Sequence, residues 1–312
     1  ERQIAEATPF SQVIIDMVPK NPVSAMANAQ MLPNIVFSVL LGIAITLSCS
    51  RGERVSAWFQ DINHVIMRLV TLVMRFAPYG VFALIANLTA TSDMADFLAV
   101  GKYVALVFAV LFLHALLVYP TLLTFLARIN PLVFLSKMRA AMMFAFSTAS
   151  SNATIPVTLE TVTKRIGVSN KIGSFTVPLG ATINMDGTAI MQGIATGFIA
   201  QFYGIDLSLG QYLMVVVMVI LASVGTAGVP SVGLVVLAGV LTQVGLPAEG
   251  IAMILGVDRI LDMTRTAVNI TGDATVTTIV ARSEGELDLD VFNDTHAGDA
   301  YEEEALETSG RA

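Results

Sequence analysis

Ser150-Ser151-Asn152-Ala153-Thr154-Ile155-Pro156 interrupts an otherwise apolar run from Ala140 to Val162. Downstream, Asn184-Met185-Asp186-Gly187-Thr188 splits the run Ile172–Phe202. Gly225-Thr226-Ala227-Gly228-Val229-Pro230 then splits Tyr212–Gln243. A fourth run, Ile251–Val280, carries Asp258, Asp262, Arg265, Asn269 and Asp273. The interruptions pair. A split segment containing Pro156 precedes a helix with Asn-x-Asp-Gly, and one containing Pro230 precedes a helix with Asn-x-x-Gly-Asp.

Composition says what surrounds these breaks. Apolar residues make up 55% of the chain and charged residues 13%, whereas a soluble domain carries nearer a quarter charged. Between Phe97 and Pro247 the acidic residues are Glu160, Asp186 and Asp206 alone, while ten lie beyond Ser283. The net charge of −7 is therefore mostly a property of the C-terminal stretch. The body reads as membrane-embedded, with further spans over Met31–Cys49, Ile62–Ala90 and Phe97–Ala127, of about the ~20 residues that cross a bilayer or more. Broken backbone at membrane depth strands N–H and C=O groups, and is tolerated only against protein or a water-filled cavity. Interrupted segments at matching positions of two halves point to a transporter binding site. The pieces on either side of the first and third breaks are too short to span, so both read as re-entrant helical hairpins. The predicted class is an all-α, multi-pass membrane protein with two such hairpins and two interrupted helices. If the hairpins are re-entrant, Arg51, Arg54, Arg128, Lys137, Arg139, Lys164, Arg165, Lys171 and Arg282 all fall on one side. The positive-inside rule makes that side cytoplasmic, with the C-terminus.

Other chemistries find little support. Cys49 is the only cysteine, which excludes an internal disulfide. His64, His114 and His296 are scattered and read as interfacial or tail residues. No basic patch suits nucleic acid. No Ser-His pair or His-Glu-x-x-His marks an intramembrane enzyme. The first dozen residues are too polar for a signal peptide, and the chain is expected to lack an N-terminal portion.

The fourth run holds the sharpest signal. At ~100° per residue, Asp258, Asp262, Arg265, Asn269 and Asp273 fall within an arc of about 80°. Each ionisable group costs at least ~2.5 kcal/mol at the bilayer centre, so such a face needs partners. One reading is a structural salt-bridge network. The other assigns roles: Arg265 grips a carboxylate with its planar fork, Asp262 holds an ammonium and Asn269 adds an amide. Asp273 and Asp186 are then hard oxygen sites for cations. Helix N-termini near Ser150-Ser151 and Gly228-Val229 would offer N–H groups to a carboxylate.

These motifs resemble those of the dicarboxylate/amino acid:cation symporters, the family of archaeal aspartate and mammalian glutamate transporters. The resemblance runs from Asp16-Met17-Val18-Pro19-x-Asn21-Pro22 to Ala281. It is carried best by Asn184-Met185-Asp186-Gly187-Thr188, by Asp262-Met263-Thr264-Arg265-Thr266 with Asn269 and Gly272-Asp273, and by Ser223–Pro230. It implies an inverted-repeat elevator in a homotrimer, with residues 1–96 as partial scaffold, 97–282 as transport domain and 283–312 as a disordered acidic tail. It implies that Arg265, Thr188 and Thr266 line the substrate site, with Asp262 on the amino group. Asn269, Ser151 and Val229 would take the α-carboxylate. One sodium would sit at Asp273, Gly180, Asn184 and Asn269. A second would use Met185, Thr182, Ser223, Val224 and Thr226, and a third Asp186 and Asn184. The expected activity is uptake of aspartate or glutamate with sodium. The alternative is a proton-coupled carrier of the same acids or of C4-dicarboxylates. A passive anion pore would need an open hydrated path.

Overall fold

The computed structural model describes residues 15, 18–28, 31–74, 76, 79, 82, 83, 86, 94–224, 228, 230–294 and 297. Among these no strand forms; one isolated bridge joins Val168 to Leu287. The helices are α1 (Pro22–Ala27), α2 (Met31–Leu47), α3 (Cys49–Met74), α4 (Met94–Leu113), α5 (Pro131–Thr148), α6 (Ser151–Glu160), α7 (Asn170–Ile183), α8 (Asp186–Phe202), α9 (Leu209–Val224), α10 (Val232–Gln243), α11 (Ile251–Ser283) and α12 (Leu289–Asn293). Helix α4 continues through a π-turn, His114–Val118, a single α-turn, Tyr119–Leu122, and a second π-segment, Leu123–Ala127. The apolar stretch Leu98–Ala127 is long enough to cross a membrane.

The chain divides into two units. One comprises Glu1–Gly101, Thr196–Ala222 and Leu234–Val257. Asn21 caps its first helix, accepting from the Ser24 N–H at 3.1 Å, with Pro22 in the first turn. This pairing of side-chain acceptor and N-terminal proline is how helices start. Helices α2 and α3 pack together, yet Leu40, Ile43, Trp58, Val65 and Leu69 stay exposed. Arg51 and Arg54 lie in the first two turns of α3, which contains no proline.

The other unit comprises Lys102–Ala195, Ser223–Gly233 and Asp258–Ala312. Its core gathers Leu123, Phe134, Met138, Val162, Ile270, Ala274 and Phe292. The first break is tighter than its sequence suggests. Helix α5 starts at Pro131, capped by Asn130, and ends at Ala149, which takes φ 51 and ψ 35. Ser150 then caps α6, accepting from the Ala153 N–H at 3.2 Å. Pro156 does not end the break but lies inside α6. The second break leaves Asn184 and Met185 between α7 and α8.

Two expectations need correction. The fourth apolar run is not interrupted: α11 is one continuous helix of 33 residues. It contains no proline, and the hydroxyls of Thr266, Thr271, Thr275 and Thr278 each donate to the carbonyl four residues back, at 2.7–2.8 Å. Polar groups that would otherwise compete with the helix are thus tied to it. Nor is the whole acidic stretch a free tail. The Asp288 N–H donates to the Gly167 carbonyl at 2.8 Å, the Ser169 N–H donates to the Glu286 carbonyl at 2.9 Å, and Asp288 caps α12.

Buried Lys137 secures this segment. Its ammonium donates to the carbonyls of Arg165 (2.6 Å), Val291 (2.8 Å) and Asp294 (2.8 Å), and lies over the Phe292 ring. Lys137→Ala is expected to cost about 1.5–3 kcal/mol, the scale of charge-assisted hydrogen bonds. Limited proteolysis should then cut after residue 283 faster than in the wild type; equal rates would refute the latch.

Candidate functional site

The polar face of α11 is buried in the second unit. Arg265 is 1% exposed. Its Nη1 donates to Asp258 Oδ1 at 2.9 Å and its Nη2 to Asp262 Oδ1 at 2.7 Å. One guanidinium against two carboxylates leaves one surplus negative charge. Arg265 Nε and Asp258 Oδ2 are buried without a hydrogen-bond partner. Desolvating such charges costs several kcal/mol per ion, and the pairing recovers part of it.

Asp262 is the hinge between this cluster and the third break. Its Oδ2 accepts from the backbone N–H of Ser231 at 2.9 Å, a residue held at φ 64. Gly233 closes the approach: a Cβ there would stand 3.1 Å from Thr188 Cγ2 and 3.6 Å from Arg265 Nη2. The first and third breaks also meet. The Gly228 carbonyl accepts from Ser150 Oγ at 2.8 Å and from the Asn152 N–H at 3.1 Å. A Cβ at Gly228 would come 2.9 Å from Asn152 Oδ1, so the backbones approach as only glycine permits. Ser151 is buried in the first turn of α6.

One turn beyond Arg265, Asn269 reaches the second break. Its Oδ1 accepts from the Gly187 N–H at 2.8 Å. Its Nδ2 donates to Met185 Sδ at 3.3 Å and to Thr188 Oγ1 at 3.4 Å. Gly187 makes the fit possible, since a Cβ there would lie 2.9 Å from the Arg265 carbonyl. Thr266 is buried, its hydroxyl bonded to the Asp262 carbonyl at 2.8 Å.

Two carboxylates flank this centre. Asp273 is 2% exposed. Its Oδ1 accepts from Asn184 Nδ2 at 3.0 Å, and the same amide donates to the Asn269 carbonyl at 3.2 Å. Asp273 Oδ2 is buried and unpartnered. Gly180 lies against it, for a Cβ there would stand 2.7 Å from Oδ1. A cleft of about 650 Å3, walled by Ile172, Phe175, Leu179 and Val276, opens onto Gly180, Asn184 and Asp273. Asp186 opens α8; its Oδ1 accepts from the Gly187 N–H at 2.9 Å, and its Oδ2 faces His114 Nε2 at 2.9 Å and accepts from the Tyr119 hydroxyl. Among the described residues no three His, Cys, Asp or Glu side chains gather as a metal cluster. What the site offers is single carboxylates beside amide and backbone oxygens, the hard donors that suit simple cations.

The structure thus brings Arg265, Asp262, Asn269, Thr188, Thr266, Met185, Asn184, Asp186, Asp273 and Gly180 into one neighbourhood of the second unit. Thr182 is exposed, its hydroxyl bonded to the Pro178 carbonyl at 3.1 Å. Ser223 is buried and Val224 ends α9. Thr226 and Val229 lie outside the described residues. Sequence reasoning missed Tyr119 and gave His114 no partner, whereas both meet Asp186. The available signal was an ionisable residue inside an apolar span, which is a functional pointer by default.

Comparison with known proteins finds relatives over most of the chain. The profile of the sodium:dicarboxylate symporter family matches residues 1–283. The proton/sodium-glutamate symport protein of Bacillus subtilis is 37% identical over 275 residues, covering 88% of this chain and 64% of that protein. The proton/glutamate-aspartate symporter of Escherichia coli is 40% identical over 277 residues, 88% of this chain and 63% of that protein. Excitatory amino acid transporter 3 of Mus musculus is 39% identical over 265 residues, 84% of this chain and 51% of that protein. The chain therefore spans between half and two thirds of the length of these relatives. With a family profile running through both units and across every polar break, the chain belongs to the sodium:dicarboxylate symporter family.

Proposed function

We propose that this chain forms the solute-binding part of a secondary active symporter that carries aspartate or glutamate with sodium across the cell membrane. One observation carries the reading: a fully buried guanidinium held by two carboxylates, with a surplus negative charge, directly under the polar breaks. An acidic amino acid is the complement of that arrangement. Its ammonium offsets the surplus carboxylate at Asp262, and its side-chain carboxylate engages Arg265 with Thr188 and Thr266 beside it. Its α-carboxylate meets Asn269 and the N–H groups at Ser151 and Val229. A plain C4-dicarboxylate has no ammonium for Asp262, and a neutral amino acid leaves Arg265 unmatched.

Sodium is the coupled substrate ion, held at up to three sites. Asp273 with Gly180, Asn184 and Asn269 forms the first, and Asp186 with Asn184 another. The carbonyls of Thr182, Ser223, Val224 and Thr226 with Met185 form the remaining one. Helix pairs α5–α6 and α9–α10 act as re-entrant hairpins in an elevator. Residues 1–96 serve as partial scaffold of a homotrimer and 97–282 as the moving domain, with the C-terminus cytoplasmic. The names of the bacterial relatives carry a second reading, proton coupling of the same transport.

Uptake of labelled aspartate into proteoliposomes holding the full-length protein tests this, with sodium, proton and potassium gradients imposed singly. An inward sodium gradient is expected to drive accumulation. Accumulation under a proton gradient alone would favour the second reading, and none under any gradient would overturn both.

A further inference from the structure

The π-turn His114–Val118 directly precedes Tyr119 and Pro120. Pro120 has no N–H to offer the preceding turn and its ring crowds the backbone there, a recognised cause of helix irregularity. The consequence is a change of phase. In an α-helix, residues five apart point about 140° apart; across an i→i+5 π-turn they stack on one side. His114 and Tyr119 therefore share a face, their rings edge-on at 4.9 Å. Both reach the same oxygen, Asp186 Oδ2. Tyr119 Oη also lies 2.9 Å from the Val268 carbonyl of α11, so one hydroxyl spans the start of α8 and the middle of α11.

An independent feature marks the spot as built. A Cβ at Gly272 would stand 2.9 Å from Tyr119 Oη and 3.1 Å from Asp186 Oδ2. The α11 backbone thus supplies a floor on which these groups converge without room for a side chain. Resting on the reading of Asp186 as an oxygen donor to the co-transported cation, we infer that Tyr119 and His114 are positioning residues for that carboxylate. They fix its Oδ2 while Oδ1 is held by the Gly187 N–H, and the π-turn brings them together. With Oδ2 taken by two groups and Oδ1 bonded to the Gly187 N–H, the carboxylate keeps one open lone pair, on Oδ1, at a fixed orientation, which is the pre-organisation a weakly bound cation needs.

The test uses purified full-length protein and two readouts. The first is the rise in melting temperature on replacing choline chloride with sodium chloride. The second is the sodium concentration that half-saturates aspartate binding, by calorimetry. Tyr119→Phe keeps the ring and removes the hydroxyl. It is expected to lower the sodium-induced melting shift at least twofold and to raise half-saturating sodium about five- to tenfold. Aspartate affinity at saturating sodium should stay within twofold of wild type. His114→Ala should behave likewise, while His114→Gln, whose amide can reach Asp186, should retain most of the response. Wild-type sodium dependence in Tyr119→Phe would overturn the inference alone. A wild-type protein that binds aspartate with no response to sodium would overturn it together with sodium coupling.

Discussion

Arg265→Cys is expected to abolish aspartate and glutamate uptake and to admit neutral amino acids. A bidentate charge-assisted contact is worth ~1.5–3 kcal/mol per bond, so its loss corresponds to a fall of about a hundredfold or more. The thiol is small and uncharged, leaving space where a carboxylate would have sat. The structure adds a complication, the salt-bridge network that the sequence offered as one reading of this face. Arg265 also pairs with both Asp258 and Asp262, at 2.9 and 2.7 Å. Removing one partner of a buried ion pair costs about 3–5 kcal/mol, so the single variant is expected to be less stable. Arg265→Cys with Asp258→Asn removes one of the two orphaned charges and should regain part of that stability. Acidic uptake should stay absent in the double variant. If aspartate uptake survives in either protein at wild-type rates, Arg265 is structural and the substrate assignment falls.

Asp273→Asn is expected to separate cation response from fold stability. The carboxylate is buried, receives one amide bond from Asn184, and pairs with no basic side chain among the described residues. Burying a charge without a partner is costly, so an isosteric amide should leave melting in sodium-free buffer unchanged or higher. What should disappear is the stabilisation that a bound cation adds, ~2.7 kcal/mol at a hundred times its dissociation constant. Sodium-dependent aspartate binding should fall with it. Gly180 sharpens the expectation, because the backbone of α7 passes so close that Asp273 Oδ1 has little freedom to retreat. A variant that melts lower than wild type yet keeps its sodium response would place Asp273 among the packing residues instead.

Much of this site was legible along the chain. Asp258, Asp262, Arg265, Asn269 and Asp273 share one stripe because a helix repeats every 3.6 residues, and the stripe survives in α11. The break at Asn184–Met185 was legible too, since Asn, Asp and Gly favour ends and turns over helix interiors. Other features had no local signature. Ala149 turns left-handed at a cost of about 1 kcal/mol or more, and nothing about an alanine announces that. Gly272-Asp273 looked like a breaker, yet α11 runs through it, with no proline to remove a backbone hydrogen bond. Lys137 looked like one more cytoplasmic charge, while its three carbonyl acceptors lie 28, 154 and 157 residues away.

Composition, period and motif order determined that the chain is helical, that one apolar run carries a stripe of ionisable residues, and which polar breaks attend that run. These are short-range properties, set by side-chain chemistry within a turn or two. Tertiary structure alone decided that Asp262 meets the Ser231 N–H, that Ser150 and Gly228 meet, and that His114 and Tyr119 close on Asp186. Each of those depends on where a distant backbone passes and, for the last, on a π-turn that shifts the helical phase.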